Sequence, residues 1–306
     1  LAVRREEHVV LLAERAGVRI ELDEQERSQV SIRKRLLDLH EAVAAWFQQA
    51  LARAADAEEA RRYLRDRQLD GEAARRFRIG WAPGDGDSLI RWAGRSGWSL
   101  ELLKTAGLLV DTESGLRDRF RRRVMFPICD EQGRPIAFSG RILPSDDSPA
   151  KYVNSPETPL FQKGRVLYAL HLARRRILET RRALLCEGQI DALRCHLVGI
   201  ETAVAAQGTA VTTDHARTLK RYADEVVIML DADAAGQAAA VRTAQTLLRE
   251  DLAVSVAVLP AGEDPDSLIV REGVEAITRV IEGAVPVVDF MVQTAAARGA
   301  LRTDAD

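Results

Sequence analysis

The sequence is poor in aromatic residues, has few cysteines and contains no long apolar run. Aromatic residues make up 5% of its 306 residues, so a binding function based mainly on stacked rings is not expected. The three cysteines, Cys129, Cys186 and Cys195, lack CxxC spacing and therefore form neither a zinc site nor a disulfide framework. Each lies among apolar residues, which predicts a buried free thiol and fits a reducing cytoplasm.

No apolar run approaches the roughly 20 residues that span a bilayer, and no signal peptide is recognised. We therefore expect a cytoplasmic protein without membrane contact. The net charge is -2, from 44 basic and 46 acidic residues, so only the distribution of charge is informative. The chain begins at Leu1 without a methionine, within a helix-like stretch. This beginning predicts a fragment of a longer protein, cut at both ends.

The first half of the chain predicts an α+β lobe. Apolar residues recur at helical spacing from residue 32 to about 55, which predicts a long amphipathic helix, and a second helix follows at 58–69. Short strand-like segments separated by turn residues follow at 77–81, 124–128, 136–139 and 166–169. We predict a lobe over 32–177, preceded by a linker remnant over 1–31.

Strands and helices alternate in the second half. Strands are predicted at 183–186, 202–206, 226–230 and 254–259, with helices at 190–197, 213–222 and 234–249 between them. This order predicts a small parallel sheet flanked by helices, and the continuous apolar strands predict burial on both faces. The fold class is therefore an α+β lobe followed by an α/β lobe over 178–285, with a helical C-terminal segment over 286–306.

Carboxylates follow the predicted strands of the second half. They are Glu187, Asp231, Asp233, Asp264 and Asp266. Ligands of open α/β sheets bind at the carboxyl ends of strands, and clustered carboxylates need cations to offset their repulsion. Oxygen-only ligands favour Mg²⁺, and two such ions serve phosphoryl transfer. Each acidic motif alone is also explained by a turn or helix cap, whereas all three at successive strand ends favour a metal site.

Basic residues are concentrated between residues 117 and 165. The set comprises Arg117, Arg119, Arg121, Arg122, Arg123, Arg134, Arg141, Lys151, Lys163 and Arg165. Such a set suits contacts to phosphates without base readout, and the alternative is a solvated charged surface. Strand alternation turns at least one of three consecutive arginines to the opposite face. A further basic run at 174–182 is interpreted as a solvated helix face.

Several segments resemble known families. Residues 187–191, 231–236 and 262–268 resemble the three acidic motifs of the Toprim domain, which primases, topoisomerases and some nucleases share. Residues 118–128, 133–141 and 150–164 resemble signature segments of bacterial replicative primases (DnaG-type). Residues 206–210 resemble the family's segment between the first and second acidic motifs, and weaker similarity lies at 63–67 and 77–83. The resemblance extends from about residue 32 to the end and implies a DNA primase core.

The resemblance implies roles for particular residues. The metal-binding carboxylates would be Glu187, Asp231, Asp233, Asp264 and Asp266, with Glu187, Asp231 and Asp233 at the catalytic centre. The residues facing template, primer or nucleotide would be Arg67, Arg119, Arg121, Arg141, Lys151, Asn154 and Lys163. The implied metal is Mg²⁺ or Mn²⁺. The implied activity is synthesis of short RNA primers from nucleoside triphosphates on single-stranded DNA.

The same resemblance implies features outside this chain. Zinc is expected only in an N-terminal domain, and a replicative helicase is expected to bind a C-terminal domain. The family would act in the primosome, at replication forks of the bacterial nucleoid. Three positions depart from the family pattern: Gln68 replaces a usual glycine, Gln189 replaces an apolar residue, and Ala232 replaces the glycine between the two aspartates. Alanine would be strained at that last position if it requires positive φ.

Other functions stay open on the sequence alone. A Toprim nuclease would hydrolyse a phosphodiester with the same carboxylates and would not need nucleoside triphosphates. A nucleic-acid-binding module without catalysis would tolerate loss of Asp231. A phage or plasmid primase would share every motif described. The segments at 118–128 and 150–164 favour a primase over the nuclease.

Overall fold

The protein is described by a computed structural model that covers residues 24–208, 210–230, 234–260 and 262–297. Within these residues there are twelve α-helices and twelve strands. The helices are α1 Glu24–Arg53, α2 Glu58–Asp66, α3 Gly71–Arg76, α4 Ser88–Arg95, α5 Leu100–Thr105, α6 Leu170–Thr180, α7 Gln189–Leu197, α8 Thr213–Lys220, α9 Ala234–Leu248, α10 Pro265–Glu272, α11 Val274–Glu282 and α12 Val287–Ala297. The strands are β1 Gly80–Ala82, β2 Leu109–Thr112, β3 Gly115–Asp118, β4 Arg123–Cys129, β5 Pro135–Ile142, β6 Tyr152–Asn154, β7 Leu167–Tyr168, β8 Arg182–Cys186, β9 Ala203–Ala206, β10 Glu225–Leu230, β11 Ala253–Val258 and β12 Val285–Pro286.

The first lobe is an antiparallel sheet covered on one face by α1. Its strands lie in the order β1-β4-β5-β6, and β2 and β3 form a separate hairpin. Helix α1 contains the predicted amphipathic helix and extends from Glu24 to Arg53. It crosses β1 at Gly80, where an added Cβ would lie 2.5 Å from the Cβ of Phe47. Only glycine therefore lets the helix and the strand approach this closely.

Aromatic side chains fill the space between α1 and the sheet. The ring of Phe138 stacks on His40 at a centroid distance of 5.7 Å and meets Phe47 edge-on at 5.3 Å. Trp81 is completely buried in the same lobe. Such contacts make this layer the main hydrophobic anchor of the first lobe, because large aromatic rings bury the most apolar area per residue.

The second lobe is a six-stranded sheet in the order β12-β11-β10-β8-β9-β7. The central strands β8, β9, β10 and β11 are parallel, and the edge strands β7 and β12 are antiparallel to their neighbours. The predicted parallel sheet is confirmed. The chain leaves β8 towards β9 on one side, whereas it leaves β10 towards β11 on the other. The strand order therefore reverses between β8 and β10, and ligands of α/β sheets bind at such a reversal.

Both faces of this second sheet are buried, as predicted. Along β8, Ala183 and Leu185 pack with α6, α8, α9 and α12, whereas Leu184 and Cys186 belong to a core that continues into the first lobe. Strand β10 alternates in the same way. Cys129, Cys186 and Cys195 are buried free thiols, as expected.

Several elements differ from the sequence predictions. The strand predicted at 77–81 begins only at Gly80, because Phe77 ends α3 and Arg78 takes a positive φ of 56°. Helices α3, α4 and α5 and the β2–β3 hairpin were not predicted. The second sheet already takes its edge strand from Leu167–Tyr168, ahead of the predicted lobe boundary at 177/178. The predicted helix-like stretch at 8–16 lies outside the described residues.

Within the residues that the structure covers, none of the helices has both the length and the apolar character required to cross a membrane.

Candidate functional site

The carboxyl edge of the second sheet carries Glu187 beside the strand reversal. Cys186, the last residue of β8, is in register with Met229 of β10, so Glu187 leaves the sheet next to the end of β10 at Leu230. Glu187 is exposed. The turn after it is braced by Asp191, whose Oδ2 accepts a hydrogen bond of 3.1 Å from the backbone N–H of Gly188. Glu187 is thus held at a rigid helix start at the point where the fold binds ligands.

The third acidic motif divides into two different environments. Asp264 is exposed and caps α10, with its Oδ1 accepting from the backbone N–H of Ser267 at 2.6 Å. Asp266 is 6% exposed, and its two oxygens accept hydrogen bonds from Arg194 and Arg67. Asp266 is almost fully buried and each of its oxygens accepts from a guanidinium group, which favours an ion pair over metal binding, and its metal role stays a prediction.

The second acidic motif, Asp231 and Asp233, lies outside the described residues. Their place follows only from the sequence, since Asp231 directly succeeds the end of β10 at Leu230. Among residues 24–208, 210–230, 234–260 and 262–297, no cluster of three or more His, Cys, Asp or Glu side chains is arranged to hold a metal ion. The oxygen-only chemistry of Glu187, Asp231, Asp233 and Asp264 suits Mg²⁺, and their metal roles stay predictions.

The first lobe presents polar side chains on the sheet face opposite α1. Arg141 of β5 is in register with Tyr152 of β6, and Ser139 with Asn154, so these side chains share one face. Asn154 donates from Nδ2 to the backbone carbonyl of Gln207 at 3.3 Å. Gln207 follows β9 at the carboxyl edge of the second sheet. This face of the first sheet therefore adjoins the edge that carries Glu187.

Two predicted phosphate-contacting arginines flank one tyrosine at this junction. The guanidinium carbon of Arg141 lies 4.5 Å from the ring centroid of Tyr63 and 5.8 Å from that of Tyr152. The guanidinium carbon of Arg67 lies 5.4 Å from the ring centroid of Tyr63. Burial raises the pKa of Tyr63 to about 12, and the nearby Arg141 and Arg67 only partly oppose this shift, so the ring stays neutral. A neutral tyrosine face attracts cations.

The remaining predicted binding residues are spread along the first lobe. Arg119 is half-buried with its Nε lacking a hydrogen-bond partner, and burial lowers its pKa. Arg121 is exposed and donates to the carbonyl of Asp118 at 2.8 Å. Lys151 is exposed on the loop before β6. The backbone N–H of Lys163 donates to Glu157, and its carbonyl contacts His215. The backbone is therefore held in place by these two contacts.

The other basic residues have structural contacts. Arg123 is the arginine of the 121–123 run that turns inward, and it donates to the carbonyls of Gly140 and Ala150, each at 3.1 Å. Arg175 and Arg176 are exposed on α6 and pair with Glu179, which confirms the solvated helix face.

Sequence reasoning missed Arg194, Tyr63 and Gln207 as parts of this site. Arg194 is 2% exposed and contacts both Asp266 and the backbone of Arg67. A charge one turn after the buried Ile190 of α7 was an available signal, because charged residues are almost never buried without a partner. Tyr63 and Gln207 lie in segments that were recognised only through their resemblance to the family, without a role for either residue.

Comparisons with known proteins agree with this geometry. Residues 46–174 match the family described as DNA primase catalytic core, N-terminal domain, and residues 184–269 match the Toprim-like family. A DNA primase of Streptomyces coelicolor is 35% identical over 98% of this chain, which spans 48% of that relative's length. A DnaG primase catalytic domain solved with single-stranded DNA has a TM-score of 0.79 at 39% identity, over 88% of this chain and 84% of that one.

The RNA polymerase domain of Mycobacterium tuberculosis primase DnaG is similar over nearly its whole length. The TM-score is 0.82 and the identity is 37%, with 89% of this chain and 92% of that chain covered. The similarity includes both sheets and therefore the junction at which the basic face meets the acidic edge. The chain belongs to the family of DnaG-type DNA primases.

Proposed function

We propose that this chain is the nucleotidyl-transfer core of a bacterial DNA primase, which synthesises short RNA primers on single-stranded DNA. The observation that carries the proposal is the contact between Asn154 and Gln207, which brings the basic face of the first sheet against the carboxyl edge of the second. Phosphate-binding and metal-binding groups are thereby within reach of one nucleotide. A relative solved with single-stranded DNA supports the choice of template.

Mg²⁺ or Mn²⁺ would be held by Glu187, Asp231, Asp233 and Asp264, and when bound it would polarise the α-phosphate and offset the charge of the triphosphate. Asp266 is not included because guanidinium groups use both of its oxygens. Glu187 directly follows β8 and Asp231 directly follows β10 in the sequence, whereas Asp264 caps α10 after the loop that succeeds β11.

The first lobe would supply the contacts to the substrate phosphates. Arg67, Arg141, Lys151 and Lys163 would hold template and triphosphate, with Arg119 and Arg121 extending the surface. The 3′-hydroxyl oxygen of the primer would bond to the α-phosphorus while the bond from that phosphorus to the bridging oxygen breaks. Pyrophosphate leaves, and the hydroxyl proton passes to Glu187 or to solvent. Lobes of residues 32–177 and 178–285 would divide these tasks.

The whole protein would act in the cytoplasm, within a primosome, with a replicative helicase as partner. The first test is incorporation of labelled ribonucleotides on single-stranded DNA carrying a preformed primer, with Mg²⁺ or Mn²⁺. Asp231→Asn should reduce incorporation by about a hundredfold or more, because one metal carboxylate is lost. Asp111→Asn is the matched control, since Asp111 is a 79% exposed carboxylate on the β2–β3 hairpin.

Metal-dependent cleavage of the DNA without incorporation would replace the proposal with the nuclease. Unchanged incorporation in Asp231→Asn would remove the acidic cluster from the reaction. Salt-sensitive DNA binding without incorporation or cleavage would favour a nucleic-acid-binding module without catalysis.

A further inference from the structure

A buried ion cluster joins the two lobes. Asp266 in the first turn of α10 and Arg194 in α7 are 6% and 2% exposed. Nε of Arg194 donates to Oδ1 of Asp266 at 2.6 Å, and Nη1 of Arg67 donates to Oδ2. Arg194 also donates from Nη2 to the backbone carbonyl of Arg67. This junction cluster of Arg67, Arg194 and Asp266 ties the end of α2 in the first lobe to two helices of the second.

The cluster contains more positive than negative charge. Asp266 is one carboxylate between two guanidinium groups, and a buried charge is tolerated only when it is paired. Arg194 is almost wholly enclosed, so its charge is matched by Asp266. The side chain of Arg67 is 35% exposed and keeps part of its guanidinium group open to solvent. The unmatched positive charge is therefore presented at Arg67.

The ring of Tyr63 has a second cation beside it, Arg141, in addition to Arg67. Arg67 and Arg141 both lie within 5.4 Å of the ring centroid of Tyr63. Arg141 is 7% exposed, and its buried Nε has no hydrogen-bond partner among the described residues. Two cations beside one ring repel each other, and an anion that both of them contact relieves that repulsion. Guanidinium groups bind phosphate oxygens in a bidentate manner, so phosphate is the anion that this pair suits.

We propose that Asp266 is a positioning residue that acts through Arg194 and Arg67, and that it fixes Arg67 beside Arg141 as a phosphate-binding pair at the lobe junction. This inference rests on the proposed function, because it assigns the pair to phosphates of the nucleotide or of the template. Asp266 is separated from metal binding by its contacts, whereas Asp264, two residues earlier, is exposed and caps α10.

The assignment explains why the chain keeps a charged group in this buried place. An apolar residue at 266 would leave Arg194 unpaired inside the protein. It would also free Arg67 to adopt many rotamers, since a long side chain is ordered only by its contacts. Asp266 therefore acts on substrate binding from a position without access to the substrate.

The test compares Asp266→Asn with Asp264→Asn in the chain as it stands. Three quantities are measured for each variant: the KM for nucleoside triphosphate in primer extension, the Mg²⁺ concentration at half-maximal rate, and the affinity for a fluorescent oligothymidylate over a range of NaCl. Binding of sodium triphosphate to the metal-free protein is measured by calorimetry. Asp266→Glu serves as the conservative variant.

Asp266→Asn should weaken triphosphate or oligothymidylate binding by about ten- to hundredfold, the range for a hydrogen bond to a charged group. Its half-maximal Mg²⁺ concentration should stay within about twofold of the unsubstituted chain, whereas Asp264→Asn should raise it by about tenfold or more. Asp266→Glu should recover part of the lost affinity. A defect confined to triphosphate assigns the pair to the nucleotide, and one confined to oligothymidylate assigns it to the template backbone.

Asp266→Asn leaves Arg194 without its carboxylate and could unfold the chain. The double variant Asp266→Asn/Arg194→Gln removes that unpaired charge, so it should regain thermal stability while keeping the binding defect. Recovery of binding together with stability would overturn the proposal and leave a purely structural cluster. A large shift in the Mg²⁺ requirement of Asp266→Asn would return this residue to the metal site.

The calorimetric arm keeps this inference separate from the proposed function. If the unsubstituted chain incorporates no ribonucleotide, the proposed activity fails, yet loss of triphosphate binding in Asp266→Asn would still support the phosphate-binding pair. Equal binding of both triphosphate and oligothymidylate by the two proteins would overturn the pair even in an active enzyme.

Discussion

The two lobes use their sheets for function in different ways. The antiparallel sheet of the first lobe is covered by α1 on one face, and its other face carries Arg141, Tyr152 and Asn154 along the strands. The parallel sheet of the second lobe is buried on both faces, so its functional groups follow the strand ends. Strands β4 and β5 are buried along nearly their whole length, so the accessible groups of the first sheet lie on its edge strand β6 and in the adjoining loops, whereas those of the second sheet lie at its strand ends.

This difference decides how the two parts of the site meet. The face of the first sheet opposite α1 adjoins the carboxyl edge of the second sheet, and Asn154 contacts Gln207 where they join. The core is continuous across this junction, since one cluster of buried residues includes Phe138 of the first lobe and Met229 of the second. The comparison therefore predicts two chemical roles within one cooperative folding unit.

The largest expected effect is on stability. Phe138→Ala should lower the free energy of unfolding by about 3–5 kcal/mol, and Leu185→Ala in the second lobe by about 2–5 kcal/mol, because both remove a buried side chain. Unfolding in urea can be followed by tryptophan fluorescence and by far-UV circular dichroism. All four tryptophans, Trp46, Trp81, Trp92 and Trp98, lie in the first lobe.

Fluorescence thus reports the first lobe alone, and circular dichroism reports both. Coincident transitions in each variant would agree with one folding unit. If Phe138→Ala loses its tryptophan signal at a lower urea concentration than its circular dichroism, the two lobes unfold as independent domains.

Acid should destabilise the first lobe through His40. This residue is fully buried, and burial lowers its pKa to about 4 against an opposing hydrogen bond to Leu36. In the unfolded chain His40 becomes protonated near pH 6.5, whereas in the folded protein it becomes protonated only near pH 4. The free energy of unfolding is therefore unaffected by His40 above pH 6.5. It decreases by up to about 3 kcal/mol as the pH is lowered from 6.5 to 4.

Urea unfolding at successive pH values measures this effect. His40→Leu should flatten the profile between pH 6.5 and 4. His171→Leu should act over the same window, because burial lowers the pKa of His171 to about 4 as well, and its effect should be smaller since His171 is only half-buried and solvent screens its charge. An unchanged profile in His40→Leu would place the acid sensitivity outside the first lobe.

A smaller effect is expected on DNA binding. Lys151 is exposed on the loop before β6. Lys151→Gln should weaken oligothymidylate binding by about threefold to tenfold. It should also reduce the slope of log affinity against log salt concentration by about 0.7, as for one lost phosphate contact. Lys104→Gln is the matched control, because Lys104 pairs with Asp111 beside the separate hairpin. Equal losses of affinity in Lys151→Gln and Lys104→Gln would indicate that binding depends on the overall charge and not on the position of Lys151.

The smallest effect concerns backbone strain. Gln68 has a φ of 52°, in the left-handed region, where the family usually has glycine. Gln68→Gly should raise the free energy of unfolding by about 0.5–1 kcal/mol. Asp251 of the second lobe has a φ of 57°, and Asp251→Gly should gain less because aspartate tolerates this region better. Thermal melts measure both, and a loss of stability in Gln68→Gly would show that the glutamine side chain outweighs the strain.

The sequence predicted the second lobe well because long apolar runs and helix caps leave strong local signals. Thr212, for example, caps α8 and accepts a hydrogen bond of 3.1 Å from the backbone N–H of His215. Helices α3, α4 and α5 were missed because six to eight residues contain only about two turns of periodicity. The first-lobe binding residues were recognised through resemblance, since arginines within strands look like any charged surface.

Asp264 and Asp266 show where local sequence stops being informative. Both are aspartates in one short acidic motif, and the sequence assigned them the same metal role. The structure leaves Asp264 exposed at a helix cap and buries Asp266 between Arg194 and Arg67, which are 72 and 199 residues away in the chain. Only packing of the two lobes brings those arginines to one of the two carboxylates.

The sequence by itself determined the two lobes, the parallel sheet and the carboxylates at its strand ends, because periodicity and residue chemistry are local properties of the chain. The tertiary structure decided the strand reversal between β8 and β10, the face of the first sheet that meets this edge, and the ion pairs of Asp266. These depend on contacts between distant segments, whose relative positions are set by burial of the shared core and not by any local pattern.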